Sequence, residues 1–105
     1  MSLINQILTA AASSHASDIH ISSAGQAMMR VRGRLIPVSG DIFSADAVWH
    51  MAEEMMNGEQ LEMLRSVGEC DFAYEIEGLS RYRVNIYMTM GAPAIALRAI
   101  PTDIP

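Results

Sequence analysis

Cys70-Asp71-Phe72-Ala73-Tyr74-Glu75-Ile76-Glu77-Gly78-Leu79-Ser80-Arg81-Tyr82-Arg83-Val84-Asn85-Ile86-Tyr87-Met88 is the stretch that decides the fold. Side chains on a strand alternate between two faces, so Cys70, Phe72, Tyr74 and Ile76 fall on one side and Asp71, Ala73, Glu75 and Glu77 on the other. Glu77-Gly78 supplies a tight turn. The alternation then resumes from Leu79 to Met88, with Tyr82, Val84, Ile86 and Met88 opposite Arg81, Arg83, Asn85 and Tyr87. This pattern predicts an antiparallel hairpin with one buried face and one polar face. Its register is fixed, because a slip of one residue would bury the arginines and expose the apolar row.

Working outward, Leu3, Ile4, Ile7, Leu8 and Ala11 recur at helical spacing and predict a short amphipathic helix from about Leu3 to Ala12. Ser13, Ser14 and His15 loosen the chain. Asp18 to Ser22 reads as a half-buried strand, with Ile19 and Ile21 on one face and Asp18, His20 and Ser22 on the other. Ala24-Gly25-Gln26 turns into a second strand, Met28 to Arg32, and Gly33 reverses it into a third, Arg34 to Val38. The pattern breaks between Pro37 and Phe43. Ser44 then caps a helix whose buried face carries Ala45, Val48, Trp49, Ala52, Met55 and Met56, with Gly58 placed for a left-handed stop. A second short helix carries Leu61 and Leu64 and ends before Gly68. Beyond Met90-Gly91 comes a last strand, about Ala92 to Ile100, closed by Pro101 and Pro105. There is no internal repeat and no low-complexity segment. The order αβββααβββ specifies an α+β domain with a largely antiparallel six-stranded sheet and flanking helices.

At 105 residues, half of them hydrophobic, the chain suits one core and is too short for two ordinary domains. A net charge of -5 gives no general attraction to phosphate polymers or anionic lipid, which argues against nucleic acid as the main ligand. No apolar run approaches membrane-spanning length, and the start lacks the basic and apolar regions of a signal peptide. The single cysteine, Cys70, has no internal disulfide partner and fits a reducing cytoplasm.

The polar row of the fifth strand carries the chemistry. Arg81 and Arg83 stand about 7 Å apart along one surface, and their guanidinium forks suit phosphate oxygens. Pairing with Asp71, Glu75 or Glu77 across the hairpin is the commoner use of such arginines, and exposed ion pairs of that kind contribute about 0 to 1 kcal/mol. The residues alone leave both readings open. His15, Asp18 and His20 do not make a metal site: only Asp18 and His20 share a face, whereas a catalytic zinc needs three protein ligands. Most of the nine methionines read as soft core packing. Cys70 reads as a small buried hydrophobe without an activating partner. Glu53, Glu54, Glu59 and Glu62 form the solvated outer side of the helical pair.

Four segments in order, Ala16-Ser17-Asp18-Ile19-His20-Ile21, Met29-Arg30-Val31-Arg32-Gly33-Arg34-Leu35, Ser80-Arg81-Tyr82-Arg83-Val84-Asn85 and Leu97-Arg98-Ala99-Ile100-Pro101, closely resemble the amino-terminal domain of the secretion-superfamily motor ATPases. The resemblance is especially to the twitching-motility, type IV pilus retraction group, and it runs from about Leu3 to Pro101. It implies a PAS-like sheet, in agreement with the pattern above. It also implies that residues 1–105 are a single amino-terminal domain. The family's catalytic core carries a P-loop ending in Gly-Lys-Ser/Thr. This chain contains no lysine, so the catalytic domain is absent from it and no ATPase activity is expected of it alone.

In the family, arginines of this sheet reach toward the nucleotide of the core and sense its terminal phosphate. The resemblance assigns that contact to Arg81 and Arg83, and also to Arg98 before Ile-Pro. Asp18, His20 and Asn85 are expected to face the interdomain cleft, with no metal among them. The implied cofactor is ATP, with Mg held by residues outside this chain. The implied partners are the ATPase core and neighbouring subunits of a hexamer, with an inner-membrane pilus or secretion platform reached indirectly. The implied location is cytoplasmic and peripheral to the inner membrane. Two places depart from the family: Arg32-Gly33-Arg34 replaces the usual Asp-Gly turn, and Tyr87-Met88-Thr89-Met90-Gly91 lacks the usual Gln or Arg before the glycine. A free-standing PAS-like ligand-binding or adaptor module is the contrasting expectation, and a P-loop encoded past Pro105 distinguishes the two.

Overall fold

The computed structural model of the chain describes residues 2–101. Helix α1 (Leu3–Ser13) starts at Ser2, whose hydroxyl accepts the Asn5 backbone N–H at 3.2 Å. Strands β1 (Asp18–Ile21), β2 (Gln26–Val31) and β3 (Arg34–Ile42) follow as a meander. The β2–β3 turn places both Arg32 and Gly33 at positive φ, 52° and 81°. That pair of left-handed residues matches the twist of a tight hairpin. Helices α2 (Ala45–Met55) and α3 (Gly58–Val67) lead into β4 (Glu69–Ile76), β5 (Ser80–Thr89) and β6 (Ala92–Ile100). All six strands form one sheet in the order β3-β2-β1-β6-β5-β4, and every pairing is antiparallel.

The three helices lie on one face of this sheet. Helix α2 packs on β6, α3 on β4 and β5, and α1 on α2 and β3. Between them sits the core: Ile4, Leu8 and Val48 from the helices meet Ile19, Ile21, Val84, Ile86, Ile95 and Leu97 from the sheet. Deep burial of this central row holds β1, β5 and β6 in place. Among the described residues no helix lies on the opposite face.

Several local expectations are corrected. Gly58 does not stop α2; it opens α3. Asn57 accepts the Gln60 N–H, and Gln60 accepts the Asn57 N–H, both at 2.9 Å. This reciprocal capping box starts a new helix at the position where the sequence suggested an end. Strand β3 runs on to Ile42, past Val38, across a register shift opposite Gln26 and Met28. Nearly every residue of this edge strand is exposed, so it carries no alternating burial signal. Ala45 is exposed in the first turn of α2. Trp49 is half-buried, with the Arg65 guanidinium 5.9 Å from its ring centre. Met29, Met51, Met55 and Met56 are buried as core packing requires, whereas Met63 and Met90 are exposed. Pro105, read as part of the closing signal, lies outside the described residues.

Candidate functional site

Side chains that share a register row also share a face. Across the centre of the open face, Arg83 on β5 stands opposite Arg98 on β6, Arg98 opposite Asp18 on β1, and Asp18 opposite Arg30 on β2. The next row reads Asp71, Asn85, Ala96 and His20. Ala96 is the small residue among larger neighbours, so the two rows enclose a concavity of about 510 Å³. Asp18, His20, Asp71, Arg83, Asn85 and Arg98 all line it. Five of the six expected site residues are thereby brought together by strands from opposite ends of the chain. Arg81 is set apart, two residues along β5 and opposite Glu75, beside a separate hollow at the β4–β5 turn.

The charged groups differ in how they are held. Arg98 Nε donates to Asp18 Oδ1 at 3.2 Å, and Ser17 Oγ donates to Asp18 Oδ2 at 2.8 Å. The pair is asymmetric: the Asp18 side chain is 19% exposed and that of Arg98 77%. Burial pushes the Asp18 carboxyl up, but hydrogen bonds from Ser17 and Arg98, with the charges of Arg98 and His20, outweigh it and hold the group below its ordinary value. Arg30 turns to its own hairpin, donating to the Gly33 carbonyl at 3.0 Å. Asn85 Nδ2 donates to Asp71 Oδ1 at 3.0 Å and Glu69 Oε1 at 3.3 Å, which ties β5 to β4.

Arg81 and Arg83 are another case. Among the described residues no carboxylate reaches ion-pair distance of either one, although Glu75 stands directly across from Arg81. Both are exposed on the open face. At the concavity, an unneutralised Arg83 and an Arg98 in a wet ion pair suit an anion with several oxygens, while Arg81 stands at the neighbouring hollow. The one cysteine is not on this face. Cys70 is buried on the helix side, and burial followed by the Asp71 charge pushes its thiol up. No three His, Cys, Asp or Glu side chains among the described residues assemble as a metal site.

Asp71, read from the sequence as a partner for Arg81 or Arg83, instead accepts from Asn85, and the hold of the Ser17 hydroxyl on Asp18 is not among the sequence expectations. Ser17 sits inside the quoted Ala-Ser-Asp-Ile-His segment, and a hydroxyl preceding a carboxylate was the available signal. The Asp18–Arg98 link spans 80 residues and needs the β1–β6 adjacency, which periodicity does not supply.

No family model matches the chain. Curated proteins do. The chain is 32% identical over 77 residues to a twitching motility protein of Neisseria gonorrhoeae, covering 73% of this chain and 21% of that one. It is 28% identical over 101 residues to the type IV pilus retraction ATPase PilT of Pseudomonas aeruginosa, covering 96% of this chain and 29% of PilT. With the type IV pilus ATPase PilU of the same organism it is 30% identical over 89 residues, 85% of this chain and 23% of PilU. The chain thus spans less than a third of the length of these relatives. Among solved structures, the pilus retraction motor PilT with bound ADP superposes with a TM-score of 0.90 at 26% identity, over 100% of this chain and 31% of that one. The Legionella pneumophila ATPase DotB gives 0.82 at 30% identity, over 97% of this chain and 29% of DotB. The chain is homologous to the amino-terminal region of the PilT, PilU and DotB type II/IV secretion ATPases.

Proposed function

We propose that this chain is the nucleotide-sensing and coupling domain of a hexameric pilus or secretion motor ATPase. The observation that carries the reading is the helix-free sheet face on which Arg83 and Arg98 stand in one row around an open concavity, with Arg81 beside it. ATP bound to a P-loop core supplies the phosphoanhydride whose cleavage drives motion. The part of this chain is to present guanidinium donors to phosphate oxygens when the domains close, and to lose that contact when they open. Arg81 and Arg83 need no carboxylate removed before they act. Asp18, His20 and Asn85 shape the wall of the interdomain cleft. The rigid sheet converts gain and loss of the phosphate contact into movement of one body against another. Contacts with neighbouring subunits, attachment to a platform at the inner membrane, and a cytoplasmic location belong to the same reading.

The test has two arms. The gene past Pro105 should encode a P-loop, Gly-rich and ending in Gly-Lys-Ser/Thr, within about forty residues, the spacing the family resemblance implies. In the complete motor, Arg81→Ala and Arg83→Ala should leave the fold intact and lower ATP turnover by about 10³-fold, the scale at which an arginine acts on a transferring phosphoryl group. Parent-rate turnover with undisturbed filament movement would reduce both arginines to surface charges.

A further inference from the structure

We infer that Asp18 is an internal competitor for Arg98: its carboxylate occupies the guanidinium that a phosphate would otherwise take, so Arg98 joins the site only by exchanging one anion for the other. This rests on the proposed reading of the concavity as a phosphate-contact site. The observation is the contrast within one row of the sheet. Arg83 has no carboxylate within reach among the described residues, while its in-register neighbour Arg98 is bound to Asp18 at 3.2 Å. The two arginines are therefore not equivalent donors. An arriving polyphosphate meets Arg83 first and recruits Arg98 second.

The way Asp18 is held favours this role over a fixed structural pair. Its second oxygen is occupied by the Ser17 hydroxyl at 2.8 Å, and its side chain is mostly buried, so the carboxylate stays in place whether or not Arg98 is attached. Ser17 is anchored by backbone bonds on both sides, its N–H to the Arg30 carbonyl and its carbonyl from the Ala99 N–H, each 2.9 Å. Arg98, by contrast, has most of its side chain in water and can swing without unpacking anything. Exchange breaks one solvated ion pair and forms another. A site so arranged admits an anion only if it outcompetes a carboxylate, which favours the multiply charged end of a polyphosphate over chloride or a single carboxylate.

The 105-residue chain itself is the material for the test, with inorganic tripolyphosphate as probe, titrated at low salt by calorimetry and by the ¹⁵N–¹H signals of the arginine Nε groups. Asp18→Asn removes the competitor and should tighten binding by about two- to five-fold, the size expected when an exposed pair worth up to about 1 kcal/mol no longer has to be broken. Asp71→Asn, an equal change of charge on the opposite wall, should give a smaller effect because Asp71 holds Asn85 and no arginine. In the double variant Asp18→Asn/Arg98→Ala the gain should vanish, since it acts through Arg98. During titration of the parent chain the Arg83 Nε signal should move at lower probe concentration than that of Arg98.

Equal tightening by Asp18→Asn and Asp71→Asn, or a gain that survives removal of Arg98, would reduce the effect to net charge and overturn the inference. If the parent chain binds and Arg83→Ala weakens it while Asp18→Asn changes nothing, the competitor role fails and the phosphate-contact reading stands. If neither the parent nor Asp18→Asn binds at millimolar probe while the spectra show both folded, the site holds no phosphate and both readings fall together.

Discussion

Asp18 illustrates how one side chain can be set by opposing forces. Burial alone would raise its carboxyl, yet the Ser17 and Arg98 hydrogen bonds and the Arg98 and His20 charges carry it below the ordinary value. A folded-state value below the unfolded one gives stability that is present above the unfolded carboxylate pKa and is lost as pH falls through the folded one. Because the partner guanidinium is largely in water, that contribution is about 0 to 1 kcal/mol. A carboxyl-detected NMR titration should place the Asp18 midpoint below that of an aspartate in the unfolded chain, and Arg98→Ala should move it upward. A midpoint indifferent to Arg98 would mean that the ion pair does not persist in solution. Arg83 and Asn85 could be assigned to the polar face from the sequence, because a period of two is a local property. The Asp18–Arg98 pair could not, since only the order of strands brings residues 80 apart together.

At the scale of the element, β5 separates scaffold from site by alternate residues. Val84 is 2% exposed and belongs to the core cluster, while Arg83 beside it is exposed. Val84→Asp should therefore unfold the domain. An unpaired buried carboxylate costs several kcal/mol or takes up a proton, against a total stability of about 5–15 kcal/mol for a domain. Thermal denaturation followed by circular dichroism checks this, and a cooperative transition near the parent temperature would contradict it. The β4–β5 hairpin, the face of α1 and most of the face of α2 were legible because each buries one face against the same core, while β6, buried at successive positions in its first half, reads as an apolar run. Two elements resisted for opposite reasons. Strand β3 is exposed on both sides, so its far half leaves no pattern to read. The α2–α3 junction offers two signals, and the capping box of Asn57 and Gln60 supplies two hydrogen bonds where Gly58 supplies only freedom.

For the molecule as a whole, absence of any lysine removes the P-loop ligand of the phosphates, so the purified chain should release no phosphate from ATP above a buffer blank. Light scattering should show a monomer at micromolar concentration, because the partner surface of the proposed motor domain lies on the core; a stable hexamer would contradict this. The sheet order has a further effect on how such a molecule comes into being. Strand β6 lies between β1 and β5, and among the described residues no other strand joins the β1–β3 meander to the β4–β5 hairpin. During synthesis the first three strands emerge long before their central neighbour, and the chain waits with the inner edge of β1 unpaired until Ala92 to Ile100 has left the ribosome. That edge is a template for wrong pairing in the interval. Nascent chains arrested before Ala92 should thus be protease-sensitive and prone to aggregate, and protection should appear in a single step once the closing strand is released.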